Sequence, residues 1–134
     1  MTRKQKEIKS QTELKAFLAE TGMGLMAWYP LGHGDKNLIN EPVFAKLAAK
    51  YGKSNAQIIL RWHVQSGNVI FPGSRNPAHI RDNFNIFDFS LTDEEMAVLK
   101  TVDKNCRLIK GQVFLWPGAN SWHDLWDEDG TITK

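Results

Sequence analysis

Cys106 is the only cysteine in a chain of 134 residues. One cysteine makes neither an intramolecular disulfide nor a cysteine-based zinc site, so the chain is suited to a reducing compartment. Charge of one sign is equally scarce. Seventeen Lys and Arg against 15 Asp and Glu leave a formal charge of +2, too little to hold nucleic acid or a membrane surface by electrostatics. No apolar run approaches the roughly eighteen residues of a membrane span. Residues 1–10 carry Arg3, Lys4, Lys6 and Lys9 without an apolar stretch, so they read as a solvated basic lead-in and not as a secretory signal. A cytoplasmic location follows by elimination. Internal repeats and low-complexity tracts are lacking too.

What the chain does have is helix punctuation and tryptophan. An apolar fraction of 42% and a charged fraction of 24% are ordinary for one globular domain or a piece of one. Three capping boxes, Ser10 with Glu13, Ser54 with Gln57 and Thr92 with Glu95, each precede apolar residues at helical spacing. They predict helices over 11–20, from 54 to about 65, and after Thr92 with Met96, Leu99 and Val102 on one face. Asn40 and Pro42 open another, with Phe44, Leu47, Ala48 and Tyr51 on one face and Gly52 closing it. Asn76 and Pro77 start a helix expected to point Ile80 and Phe84 inward. Residues 25–29, LMAWY, are a short apolar run ended by Pro30, which reads as a strand buried on both faces. Residues 69–71, VIF, form a second strand candidate, and 31–40 reads as a loop.

The order strand, loop, helix, helix, strand, turn, helix is that of βα units with a parallel sheet. Two parallel strands do not make an independently stable sheet, so the fold class is an incomplete, mostly helical α/β arrangement. From residue 104 periodicity fades. The aromatic and acidic stretch 111–134, with Trp116, Trp122 and Trp126, supports two readings: a lid folded back over bare surface, or an interaction surface.

Several motifs, taken together and in order, carry a resemblance. Ala27, Trp28, Tyr29, Pro30, Leu31 and Gly32 resemble the AYSPLG segment of aldo/keto reductases. Residues 51–54 (YGKS), Ala56, Gln57, Leu60, Arg61 and Trp62 are similar to that family's KYGKSPAQVILRW stretch. Phe71, Pro72, Gly73 and Ser74, then His79, Ile80, Asp82, Asn83 and 87–89 (FDF), resemble its last motif. The resemblance spans about residues 14–103 and implies part of a (β/α)8 TIM barrel, its seventh and eighth strands included. It divides the chain into a lead-in (1–10), a reductase-like segment (11–103) and a tail (104–134).

The resemblance implies binding of NADP(H) and reduction of aldehydes or ketones. In this chain Trp28 takes the place of the aromatic that stacks on nicotinamide. Tyr29, Leu31 and Gly32 fall where the pyrophosphate is contacted, Leu31 through its backbone amide. Gly73, Ser74 and His79 fall at the adenosine 2′-phosphate, and Asp82 and Asn83 at adenine. Gly73 stands where the family commonly has lysine and His79 where it has arginine, so charge donors to phosphate are lost. Arg75 restores one positive charge nearby, and NAD(H) stays open as an alternative.

The family's proton-donor tyrosine and its aspartate, lysine and histidine partners come from the first half of the barrel. They have no counterpart here, so no catalytic residue is assigned, and Tyr29 and Tyr51 already occupy other motif positions. The lone chain is expected to be inactive. It would act as part of a barrel completed by a complementary half, or as a non-catalytic module that self-associates. His63 reads as structural, His33 as an exposed loop residue, Cys106 as an incidental thiol, and His123 as no metal ligand.

Overall fold

A computed structural model describes residues 12–102 and Pro117. In chain order the elements are α1 (Thr12–Glu20), β1 (Leu25–Ala27), a 3₁₀ turn (Gly32–Gly34), α2 (Lys36–Ile39), α3 (Pro42–Tyr51), α4 (Asn55–Gln65), β2 (Asn68–Ile70), α5 (Pro77–Phe84) and α6 (Asp93–Lys100). The two strands pair in parallel, Leu25 opposite Asn68, Met26 opposite Val69 and Ala27 opposite Ile70. The crossover between them runs through α2, α3 and α4. The fold is therefore α/β and mostly helical, as the element order implied.

The caps explain why the helices sit where they do. Ser54 Oγ accepts from the Gln57 amide, and Gln57 Oε1 accepts from the Ser54 amide. Thr92 and Glu95 make the same reciprocal pair. Gly52 closes α3 at φ 63°, a left-handed conformation that glycine adopts without strain. The core forms where α3 and α4 meet: Phe44, Leu47 and Ala48 of α3 and Ile58 and Ile59 of α4 pack with Leu38, Leu91 and Leu99.

Several local expectations are corrected. The stretch 31–40 is not a loop throughout, because Asp35 Oδ1 accepts from the Leu38 amide at 2.9 Å and starts α2. Asn55 of α4 then donates to the Ile39 carbonyl at 2.8 Å and fastens the short helix down. Asn40 does not cap α3. Its amide closes α2, and Glu41 precedes Pro42 without a side-chain cap. The first strand is not buried on both faces, since Met26 is 63% exposed and its register partner Val69 50%. Trp28 and Phe71, the next residues of the same parity, are exposed as well. Among the described residues, the sheet packs against α4 and leaves the face of Met26 and Val69 largely exposed.

Ile80 and Phe84 point outward, not inward, and α5 buries no residue. The reason is that α5 is tied to α4 by polar bonds. Gln57 Nε2 donates to the carbonyls of Asp82 and Asn85, each at 3.0 Å, so the apolar side of α5 is not what docks it. The box of Ser10 and Glu13, together with Cys106, Trp116, Trp122, His123 and Trp126, includes positions outside the described residues.

These placements separate two isoleucines. Ile58→Ala, at a fully buried position, is expected to cost about 2–5 kcal/mol of unfolding free energy in a urea titration. Ile80→Ala should change it by no more than about 0.5 kcal/mol. Equal effects would contradict the outward orientation of α5.

Candidate functional site

Parallel register brings the C-terminal ends of both strands to the same end of the sheet. The segments leaving those ends carry nearly all the residues singled out from the sequence. Trp28 follows β1 and is 64% exposed. It stacks on Tyr29 with centroids 4.4 Å apart and an interplanar angle of 30°. The Tyr29 ring in turn lies 4.8 Å from that of His33.

The backbone of this loop is unusual. Tyr29 at φ 49° and His33 at φ 56° are non-glycine residues in the left-handed region, a conformation that surrounding contacts must maintain. The Gly32 amide donates to the Tyr29 carbonyl at 2.8 Å and the Gly34 amide to the Leu31 carbonyl at 3.0 Å. Leu31 packs its side chain on the core, which anchors the turn from below. Pro30 is buried as well.

At the exit of β2, Gly73 is exposed and the half-buried Ser74 accepts the Asn76 amide on Oγ at 3.1 Å. Arg75 is exposed. Asn76 caps α5 by accepting the Ala78 amide on Oδ1 at 2.9 Å. Along α5, His79, Asp82 and Asn83 are spaced to share one side of the helix, with His79 and Asp82 exposed and Asn83 half-buried. The predicted residues thus fall into two groups: a loop after β1 holding Trp28, Tyr29, Leu31 and Gly32, and a turn and helix after β2 holding Gly73, Ser74, Arg75, His79, Asp82 and Asn83.

Behind the β1 loop lies a set of polar contacts that sequence reading missed. His63 Nε2 is 3.2 Å from the Pro30 carbonyl oxygen, and Asn68 Nδ2 is 2.9 Å from His63 Nδ1. A carbonyl only accepts, so the ring proton is on Nε2, and Nδ1 accepts from the Asn68 amide. Burial holds the imidazole at a pKa of about 4, below its ordinary 6.5, against the opposing pull of the Pro30 carbonyl; Lys15 lowers it further. Asn68 itself is buried, and its Oδ1 has no hydrogen-bond partner among the described residues. The only sequence signal was a polar residue opening an otherwise apolar strand, five positions after a histidine.

Gln57, Arg61 and Gln65 were also under-read. The capping glutamine Gln57 is 5% exposed because its amide nitrogen serves the end of α5. Arg61 and Gln65, one turn apart, reach the segment after it. Elsewhere Glu95 accepts from Lys50 and from the Tyr51 hydroxyl, the latter at 2.6 Å. Burial would raise the Glu95 pKa, but these bonds and that from the Thr92 amide hold it at about 2. Among the described residues no three His, Cys, Asp or Glu side chains gather as a metal site, and no helix is long and apolar enough to cross a membrane.

Parallel strands joined by a helical crossover, with polar and aromatic residues collected at the strands' C-terminal ends, are the arrangement of α/β folds that bind ligands at that end, barrels among them. Residues 7–104 match the aldo/keto reductase family, extending the resemblance several residues ahead of Leu14. The chain is 40% identical over 98 residues to an aldo-keto reductase of Mycobacterium sp., covering 73% of this chain and 35% of that one. It is 39% identical over 98 residues to a protein named methylglyoxal reductase DkgA from Escherichia coli, covering 73% and 36%. The structure of an aldo-keto reductase from Bombyx mori in complex with NADP superposes with a TM-score of 0.70 at 34% identity, covering 77% of this chain and 36% of that one. The chain belongs to the aldo/keto reductase family, whose fold is the (β/α)8 barrel, and spans about a third of these relatives' length.

The buried imidazole makes stability depend on pH in a defined direction. Between pH 6.5 and about 4 the unfolded chain holds a proton on residue 63 that the folded chain does not, so stability falls as pH drops through that window. Glu95 adds a further loss below its ordinary 4.5, continuing toward about 2. Urea midpoints measured from pH 8 to pH 4 should decline chiefly below 6.5, and His63→Gln should flatten that decline. A midpoint constant across the window would contradict the buried neutral ring.

Proposed function

We propose that this chain carries the nucleotide-holding end of an NAD(P)H-dependent aldehyde or ketone reductase and does not reduce carbonyls alone. The observation that carries the reading is the arrival of both strand exits at one end of the sheet, the exposed Trp28 ring following one and Ser74 with Arg75 the other. The residues present suit such a cofactor. An aromatic ring offers a stacking surface, and a hydroxyl, a guanidinium and a helix start offer partners for phosphate. In this reading Trp28 stacks on nicotinamide, while Tyr29, Leu31 and Gly32 line the pyrophosphate. Gly73, Ser74, Arg75 and His79 surround the ribose 2′-phosphate, and Asp82 and Asn83 meet adenine. With one guanidinium and no lysine at Gly73, the chain takes NADP(H) and tolerates NAD(H). Bound in its reduced form, the cofactor supplies a hydride to the carbonyl carbon.

The proton must come from another group, and neither tyrosine suits. Tyr51 is committed to Glu95, whose hydrogen bond, with burial, raises the Tyr51 pKa. Tyr29 is packed between Trp28 and His33. The acid therefore belongs to the remainder of a barrel, supplied by a complementary segment around residues 11–103, with 104–134 as an appended tail. A second reading is favoured by the sheet face of Met26, Trp28, Val69 and Phe71, all at least half exposed: a non-catalytic module that associates with copies of itself through this face.

Calorimetric titration of NADPH into the full chain, with the mass of the same fraction recorded, separates the two. Saturable binding is expected, weakened about tenfold or more by Trp28→Ala. Arg75→Ala should weaken NADPH binding while leaving that of NADH nearly unchanged. A folded, symmetric oligomer that gives no heat would overturn the nucleotide reading and favour association.

A further inference from the structure

We propose that His63 and Asn68 are positioning residues that hold the loop 28–34 in its strained conformation by acting on the carbonyl of Pro30. Its bearing on nucleotide binding rests on the reading above, but the effect on the loop does not. The loop turns sharply at Tyr29, φ 49°, and again at His33, φ 56°, and such residues persist only where their surroundings determine them. One determinant is local, the bond from the Gly32 amide to the Tyr29 carbonyl. A second is the Leu31 side chain seated on the core.

The third comes from other elements. Pro30 is buried, its carbonyl oxygen lies beside His63 of α4, and a carbonyl withdrawn from water needs a donor. His63 Nε2–H is that donor at 3.2 Å. Which nitrogen bears the proton is set by Asn68, whose amide donates to Nδ1 at 2.9 Å. Without Asn68 the ring is free to take the other tautomer, which would face the Pro30 oxygen with a lone pair. Asn68 thus acts on the loop through His63 without touching it. Its own Oδ1 is left buried and unpartnered among the described residues, as expected of an amide oriented by its donor side. The pair joins the first residue of β2 to the segment that follows β1, so the exit of β1 depends on the start of β2.

The test is amide hydrogen exchange on the full chain at neutral pH, read at Gly32, Gly34 and Asp35, whose N–H groups bond within the loop. His63→Leu keeps bulk and removes the donor. Exchange at these three amides should rise about five- to tenfold, the scale of one lost hydrogen bond, while core amides of α3 and α4 change less. Asn68→Ala should have the same local effect. His63→Gln should restore protection, because a side-chain amide offers a donor nitrogen and an acceptor oxygen for the same two partners. Loop exchange that is unchanged in His63→Leu, that rises only in step with the core, or that His63→Gln does not restore would overturn the assignment. NADPH titration of the same variants is a separate reading: loosened loop amides with nucleotide binding absent in every form would uphold the positioning role and reject the half-site.

Discussion

Segment 85–91 belongs to no helix or strand, and polar side chains of α4 hold its backbone at both ends. Gln57 donates to the Asn85 carbonyl and Arg61 to that of Ile86, while Gln65 both donates to the Leu91 carbonyl and accepts from the Leu91 amide. Lys53, just before α4, adds a bond to the Asn85 carbonyl and an ion pair with Asp88 at 2.7 Å. Backbone groups taken from water without partners are costly, so this clamp allows irregular chain to lie against the core. It also seats Ile86 and Leu91, 2% and 4% exposed, and through them delivers the chain to α6.

The same helix governs the candidate site. Its apolar side packs on α3, its end leads into β2, and His63 near that end reaches the loop after β1. The candidate loop after β1 is therefore an irregular segment held from behind by one rigid element, the usual division of labour between scaffold and site. The opposite side of the sheet is left apolar and uncovered among the described residues. Met26 and Val69 face each other there, in register. In a barrel, side chains of this parity fill the interior, which accounts for exposed residues that a free-standing two-stranded sheet has no means to bury.

Much of this arrangement was legible in the residues. Capping boxes, a glycine at the end of α3 and the 3.6-residue spacing of Phe44, Leu47 and Ala48 report local physics, and local physics placed those elements. The motifs around Trp28 and Ser74 likewise located both strand exits and named the family. The errors came where burial depends on partners distant in sequence. The apolarity of residues 25–29 implied two covered faces, yet among the described residues the face of Met26 and Trp28 stays exposed. Ile80 and Phe84 read as inward because spacing reveals a face without saying which neighbour it meets; here α5 docks through Gln57 instead. Asn68 and the second role of Gln57 were hidden for a related reason. A buried amide leaves no periodic signature, and only three-dimensional proximity discloses its carbonyl or imidazole partner.

Irregular backbone in this fold depends on α4 side chains as hydrogen-bond partners. The most direct test of that dependence is Gln65→Leu in the full chain, which keeps approximate size and removes both bonds to Leu91. The measurement is the initial rate of chymotryptic cleavage after Phe87 and Phe89. We predict that the rate rises several-fold while cleavage after Phe44 and Tyr51, in α3, stays unchanged. Equal rates in the variant and the parent would show that Gln65 does not hold the segment, and would contradict the clamp at Leu91.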